Sequence, residues 1–172
     1  MKRKLVYWVI VVCFLPSLSL AATVTRILDG DTLEVTEDSK TLRVRLIDID
    51  APEKKQPYGQ KAKQFLTDFV KDADAVAVRS MGTDRYGRTL AQVYVKKCDS
   101  ECLSYLVNAE MVKNGYAWAY RYHDKPSSKA MEREENEARK NRLGLWHQAD
   151  PWHDNEAIEP WKWRKLHNQH KE

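Results

Sequence analysis

The chain has 172 residues, of which 42% are hydrophobic and 31% charged, the size and balance of one soluble domain with one core and not of a disordered chain. Its 29 basic and 25 acidic residues give a formal net charge of +4. Three of the basic residues fall in the first 21, which hold no acidic one, so the rest of the chain has 29 less three, or 26, against 25, a net of +1. Global charge is therefore a weak argument for a nucleic-acid partner, and any such argument must come from local clusters.

In chain order, Lys2, Arg3 and Lys4 form a positive start and Leu5 to Leu15 is almost wholly apolar. Pro16 breaks the run, and Ser19-Leu20-Ala21 puts small residues at the two positions a signal peptidase reads. This is the pattern of a secretory signal peptide over 1–21. The run is short for a spanning helix, which needs about 20 apolar residues; an uncleaved anchor is the competing reading. Export to the periplasm or medium is expected, with no membrane attachment after cleavage. Residues 22–146 then form the domain, and 147–172 an extension.

Val24 to Leu28, Thr32 to Thr36 and Leu42 to Ile49 are β-rich runs, punctuated by Asp29-Gly30-Asp31 and Glu37-Asp38-Ser39-Lys40. Leu42, Val44 and Leu46 alternate with Arg43 and Arg45, the period of a half-buried strand. Pro52 ends this pattern, and Glu53 to Gly59 is a polar loop. From Tyr58 to Asp72 the apolar spacing turns helical, through Ala62, Phe65, Leu66, Phe69 and Val70. Ala75 to Val78 and Thr89 to Val95 are strand-like again, around the turn-rich segment 82–88. Leu103, Leu106, Val107 and Met111 mark a second helix, stopped at Asn114-Gly115. A third runs from Ser128 to Asn141, with Ser127 or Ser128 as N-cap. The order predicts a β-rich α+β fold: a small five-stranded barrel with one inserted and two C-terminal helices, closure removing the sheet edges. The tail after Trp146 has no clear period and reads as an irregular extension packed on the domain or partly disordered. Its histidines, His147, His153, His167 and His170, are scattered and read as surface residues.

Cys13 leaves with the signal, so Cys98 and Cys102 remain. Four apart in an exported chain, they fit a structural disulfide loop better than a metal or redox pair.

Three clusters carry chemistry. Asp29-Gly30-Asp31-Thr32 sits at a strand-strand turn, where Gly30 permits a positive φ; taken alone it is a common hairpin turn. Arg45-Leu46-Ile47-Asp48-Ile49-Asp50-Ala51-Pro52-Glu53 ends an apolar strand with carboxylates. A hard cation such as Ca²⁺ takes oxygen ligands, which Asp31, Asp50, the Ala51 carbonyl and Asp29 could supply. Asp84-Arg85-Tyr86-Gly87-Arg88 puts two guanidinium groups at a turn, and guanidinium binds phosphate bidentately. A metal site, arginines for phosphate and a spare carboxylate are what metal-assisted phosphodiester hydrolysis requires.

These motifs, in this order, resemble the thermonuclease family, typified by staphylococcal nuclease. Asn114-Gly115-Tyr116-Ala117-Trp118-Ala119-Tyr120 and Leu143-Gly144-Leu145-Trp146 also fit, so the resemblance covers about residues 23–146. It implies an OB-like five-stranded barrel and a Ca²⁺-dependent nuclease that cleaves DNA and RNA without strong sequence preference, leaving 3′-phosphate ends. Asp31, Asp50 and the Ala51 carbonyl would hold Ca²⁺, with Asp29 near it. Glu53 would orient or deprotonate the attacking water, Arg45 and Arg88 would bind the phosphate, and Tyr86, Tyr120 and Tyr122 would line the nucleotide pocket. A monomer is expected. The type member has threonine where Ala51 stands, a change that a carbonyl ligand tolerates. Asp48 is an extra acidic residue, read as facing solvent. Two rival readings are a barrel that grips nucleic acid without cutting it, and a structural domain that holds Ca²⁺ for stability. The full set Asp31, Arg45, Asp50, Glu53 and Arg88 speaks against both.

Overall fold

Period-two alternation dictates the first half of the fold. The computed structural model describes residues 22–148 and 157–168; the expected signal segment 1–21, with His153 and His170, lies outside the described residues. Strands β1 (Thr23–Ile27), β2 (Thr32–Glu37) and β3 (Lys40–Leu46) form an antiparallel meander. Leu33, Val35, Val44 and Leu46 point inward and are fully buried. On the outer face Glu34 pairs with Arg43 at 3.3 Å. Asp38 and Ser39, with φ of 47° and 64°, turn β2 into β3, the left-handed conformation that tight hairpins use.

The expected single run to Ile49 is interrupted. Asp48 takes φ 66°, and a separate short strand β4 (Ile49–Asp50) follows. Helix α1 (Gly59–Lys71) buries Ala62, Leu66 and Val70 at a spacing of four. Strands β5 (Ala75–Thr83) and β6 (Thr89–Cys98) pair antiparallel, and β6 runs parallel to β3.

Leu103 and Leu106 correct the expectation of a helix there. They lie in β7 (Cys102–Leu106), which returns along β6 from the disulfide-linked turn between Cys98 and Cys102. The turn sends the chain straight back, so backbone pairing with β6 prevails, and Leu103 is left exposed. Helix α2 (Val107–Lys113) begins only afterwards. Strands β8 (Trp118–Ala119), β9 (Arg121–Tyr122) and β10 (Lys125–Pro126) are short. Helix α3 (Lys129–Lys140) is capped by Ser128, whose side chain accepts from the Met131 amide. A 3₁₀ turn (Gly144–Gln148) and helix α4 (Pro160–Asn168) complete the described residues.

The fold is thus α+β and strand-rich, with two corrections. The principal sheet has six strands, in the order β1-β2-β3-β6-β5 with β7 also on β6. Its edges β1 and β5 meet through one isolated bridge, Ala22 to Val76, and not along a closing ladder. The tail read as irregular carries α4, a fourth helix. Among the described residues no helix is long and apolar enough to cross a membrane.

The glycines of the two closing motifs touch. Gly115 and Gly144 have φ of 73° and 54°, and a Cβ on either would collide with backbone of the other's segment. Leu145 donates its amide to the Gly115 carbonyl at 2.8 Å, which seats Trp146 edge-on against Trp118. Gly144→Ala is expected to lower stability by about 2–3 kcal/mol. A urea melt with an unchanged midpoint would contradict this account of the crossing.

Candidate active site

Strand register assembles the site. Thr32 pairs with Arg45 across β2 and β3, and Arg45 pairs with Leu90 across β3 and β6. The Asp29–Asp31 turn, Arg45 and the Asp84–Arg88 turn therefore meet at one end of the sheet. Strand β4 pairs Asp50 with Trp118 of β8, which brings the second carboxylate and Tyr120 to the same place. The result is a cleft of about 650 Å³ lined by Asp31, Arg45, Asp50, Glu53, Arg88 and Tyr120, among others. Asp29, Asp48, Ala51 and Tyr86 also line it, whereas Tyr122 does not. Tyr122 is exposed and packs against His123 instead.

Gly30 allows this convergence for a reason other than the one expected. It is not among the residues with positive φ. A Cβ there would stand 2.7 Å from Ala51 Cβ and 2.8 Å from Ala62 Cβ, so the glycine lets the Asp29–Asp31 turn lie flat against α1 and the Asp50–Ala51 segment. The turn itself is closed by the Asp31 amide, which donates to Asp29 Oδ1 at 3.1 Å.

Arg45 is the centre of the cluster. Its Nη1 donates to the carbonyls of Leu46 and Ile49, each at 3.0 Å, and lies 3.0 Å from Asp31 Oδ2. Its Nη2 reaches Asp50 Oδ1 at 3.0 Å. Asp31 also accepts from the Ala51 amide at 2.7 Å and from the Thr32 hydroxyl at 3.1 Å. One guanidinium thus serves two buried carboxylates. Burial pushes the Asp31 carboxyl up to about 7, aided by Asp29 and Asp50 and opposed by Arg45 and the Ala51 amide. Burial raises Asp50 as well, against the pull of Arg45 and Arg164. Burial thus outweighs the guanidinium groups at both carboxylates.

Arg88 is held more loosely. Its Nε donates to Asp84 Oδ2 at 2.8 Å, and its Nη1 lies 3.4 Å from Thr32 Oγ1. Asp84 Oδ1 accepts from the amides of Tyr86 and Arg88. Although its slight burial acts to raise it, these backbone bonds and the Arg88 side chain hold the Asp84 carboxyl below its usual value. Tyr86, 68% exposed, lies beside Arg85 at the rim.

Arg164 of α4 was not among the expected site residues. Its Nη2 lies 3.1 Å from Asp50 Oδ2, and its Nη1 lies 2.6 Å from Glu53 Oε1 and 3.4 Å from Asp50 Oδ1. Burial acts to lower its pKa, but Asp50 and Glu53 outweigh that and raise it. The buried Gln56 anchors this segment: its Oε1 accepts from the Glu53 amide, and its Nε2 donates to the Ile158 carbonyl at 2.6 Å. Two further supports lie behind the site. Buried Asn108 accepts from Val93 and donates to the carbonyls of Ile47 and Ala91. Buried Glu135 accepts from the Ala119 amide, Arg121 and Arg139.

In donor type the residues fit a hard divalent cation: Asp31 and Asp50 are buried carboxylates that face one cleft, with the Ala51 backbone beside them. Among the described residues, though, no three His, Cys, Asp or Glu side chains are gathered at metal-holding spacing. Asp29 is turned to the Asp31 amide, and Arg164 stands between Asp50 and Glu53.

Residues 43–148 match the family described as staphylococcal nuclease homologue. A Shigella flexneri protein named Micrococcal nuclease is 48% identical over 144 residues, covering 83% of this chain and 79% of its own. Protein ParB of Escherichia coli is 47% identical over 151 residues, covering 87% of this chain and 81% of its own. An uncharacterized endonuclease of Haemophilus influenzae is 43% identical over 145 residues, covering 83% and 71%.

Proposed function

From the premise that the chain belongs to the staphylococcal nuclease family, we propose that it is an exported, Ca²⁺-dependent endonuclease that hydrolyses phosphodiester bonds of DNA and RNA and leaves 3′-phosphate ends. The observation that carries this reading is the meeting of Asp31, Arg45, Asp50, Glu53 and Arg88 in one cleft.

Asp31 and Asp50 would hold the cation, with the Ala51 carbonyl and Asp29 close by. When bound, the cation supplies Lewis-acid polarisation of a phosphoryl oxygen. Arg45 keeps the two carboxylates in place from behind. Glu53, at the cleft mouth with its side chain 40% exposed, takes a proton from the attacking water. The water oxygen bonds to phosphorus, and the P–O5′ bond breaks. The phosphate stays on the 3′ oxygen, and O5′ leaves as a hydroxyl after taking up a proton. Arg88 donates to the phosphate oxygens as charge grows on them. Tyr86 and Tyr120 offer ring faces to bases without reading their identity. The Cys98–Cys102 disulfide and the signal-like start agree with an oxidising compartment, and a monomer carries every named group.

The test is cleavage of plasmid DNA and of RNA by residues 22–172, in Ca²⁺ and in excess EGTA, beside Glu53→Gln. Cleavage that needs Ca²⁺, ends in 3′-phosphate and falls by about 10²–10⁴ in the variant is expected. DNA bound but left intact with Ca²⁺, Mg²⁺ and Mn²⁺ would overturn the reading.

A further inference from the structure

The C-terminal helix lies outside the family match, which ends at residue 148, yet it reaches the centre of the cleft. Two contacts fix the segment before it: Gln56 donates to the Ile158 carbonyl, and Ala157 packs on the Trp118–Trp146 cluster. Pro160 opens the helix, where a missing amide costs nothing. From this base Arg164 grips both oxygens of Asp50 and one oxygen of Glu53.

These are the carboxylates that the proposed reaction needs for other work. Arg45 takes Asp50 Oδ1, and the Arg164 guanidinium at 3.1 Å takes Oδ2, so a divalent cation approaching Oδ2 must compete with a like charge already on it. We propose that Arg164 is a tethered competitor of the metal ion: it pairs with Asp50 and Glu53 in the metal-free protein, and cation binding expels it, releasing α4 from the cleft. This rests on the metal-dependent reading above. In the metal-free protein the helix thus sets a second guanidinium, beside that of Arg45, against the buried Asp50 carboxylate. It also makes residues outside the family match a determinant of cation affinity.

The test is Ca²⁺ titration by calorimetry, without nucleic acid, on wild-type residues 22–172, Arg164→Ala and the charge-keeping Arg164→Lys. Hydrogen exchange of 157–168 is followed with and without Ca²⁺. Arg164→Ala is expected to bind Ca²⁺ about tenfold more tightly than wild type, the scale of one lost charge-assisted contact, with Arg164→Lys between them. In wild type, Ca²⁺ is expected to speed exchange in α4. Equal affinity in wild type and Arg164→Ala, or weaker binding in Arg164→Ala, would overturn this inference and leave the metal-dependent reading standing. Binding in neither would overturn both.

Discussion

Arg88→Ala is expected to lower turnover by about 10²–10³-fold, the cost of removing one donor aimed at developing charge, while stability stays within about 0.5 kcal/mol of wild type. The geometry separates these effects. Arg88 is bound to the protein through Asp84 and, at 3.4 Å, Thr32. Asp84 keeps its two backbone donors when the guanidinium goes. Arg45→Ala is the contrasting case. Its terminal nitrogens already serve two carbonyls and two buried carboxylates, so its first task is to hold Asp31 and Asp50. Its loss leaves buried charge unpaired, which costs about 3–5 kcal/mol, and activity should fall with stability. The pair is read by turnover on plasmid DNA and by urea melts. If Arg88→Ala melts as early as Arg45→Ala, or keeps wild-type turnover, the division of labour is wrong.

The site was legible where chemistry sits beside a local signal. Asp29, Asp31 and the 84–88 cluster lie in turns, and Asp50 and Glu53 flank Pro52, so each stands out against its strand. What unites them is not local. The β3–β6 pairing is parallel and spans α1, and no residue pattern specifies that register. Gly30 was noticed for the wrong property, since the sequence cannot show that Ala51 and Ala62 press on its α-carbon. Pro160 with Lys162, Arg164 and Lys165 behind it is a helix start that the abundance of Trp and His obscured. Even with α4 recognised, nothing in the sequence says that Arg164 meets Asp50, because the contact spans 114 residues. Glu135 had a signal that was open to reading. Met131 and Ala138 mark the inner face of α3, and position 135 lies between them at spacings of four and three. A carboxylate on that face needs buried partners.

That carboxylate makes Glu135→Ala the second large effect, expected to cost about 3–5 kcal/mol. The side chain is fully buried, 0% exposed. Its Oε2 accepts from the Ala119 amide and Arg121 Nη1, both at 2.9 Å, and its Oε1 takes Arg139 at 2.8–2.9 Å. Alanine would take the acceptor from the buried Ala119 amide, remove a carboxylate that two guanidinium groups share, and open a cavity. At roughly 2–4 °C per kcal/mol for a domain of this size, the melting temperature should fall by about 10 °C. Glu137→Ala on the same helix serves as control. Glu137 pairs with Lys140 at 3.8 Å in the open, and its loss should stay within about 0.5 kcal/mol. The damage should reach the cleft as well. Ala119 pairs with Ile49, and the Tyr120 amide donates to the Asp48 carbonyl at 2.9 Å, so Glu135 steadies the strand that presents Asp50. At a temperature where Glu135→Ala is still folded, its Ca²⁺ affinity should therefore be weaker than that of Glu137→Ala. Equal affinity with a large loss of stability would confine Glu135 to holding α3, and a melt indistinguishable from the control would remove it from the account of the fold.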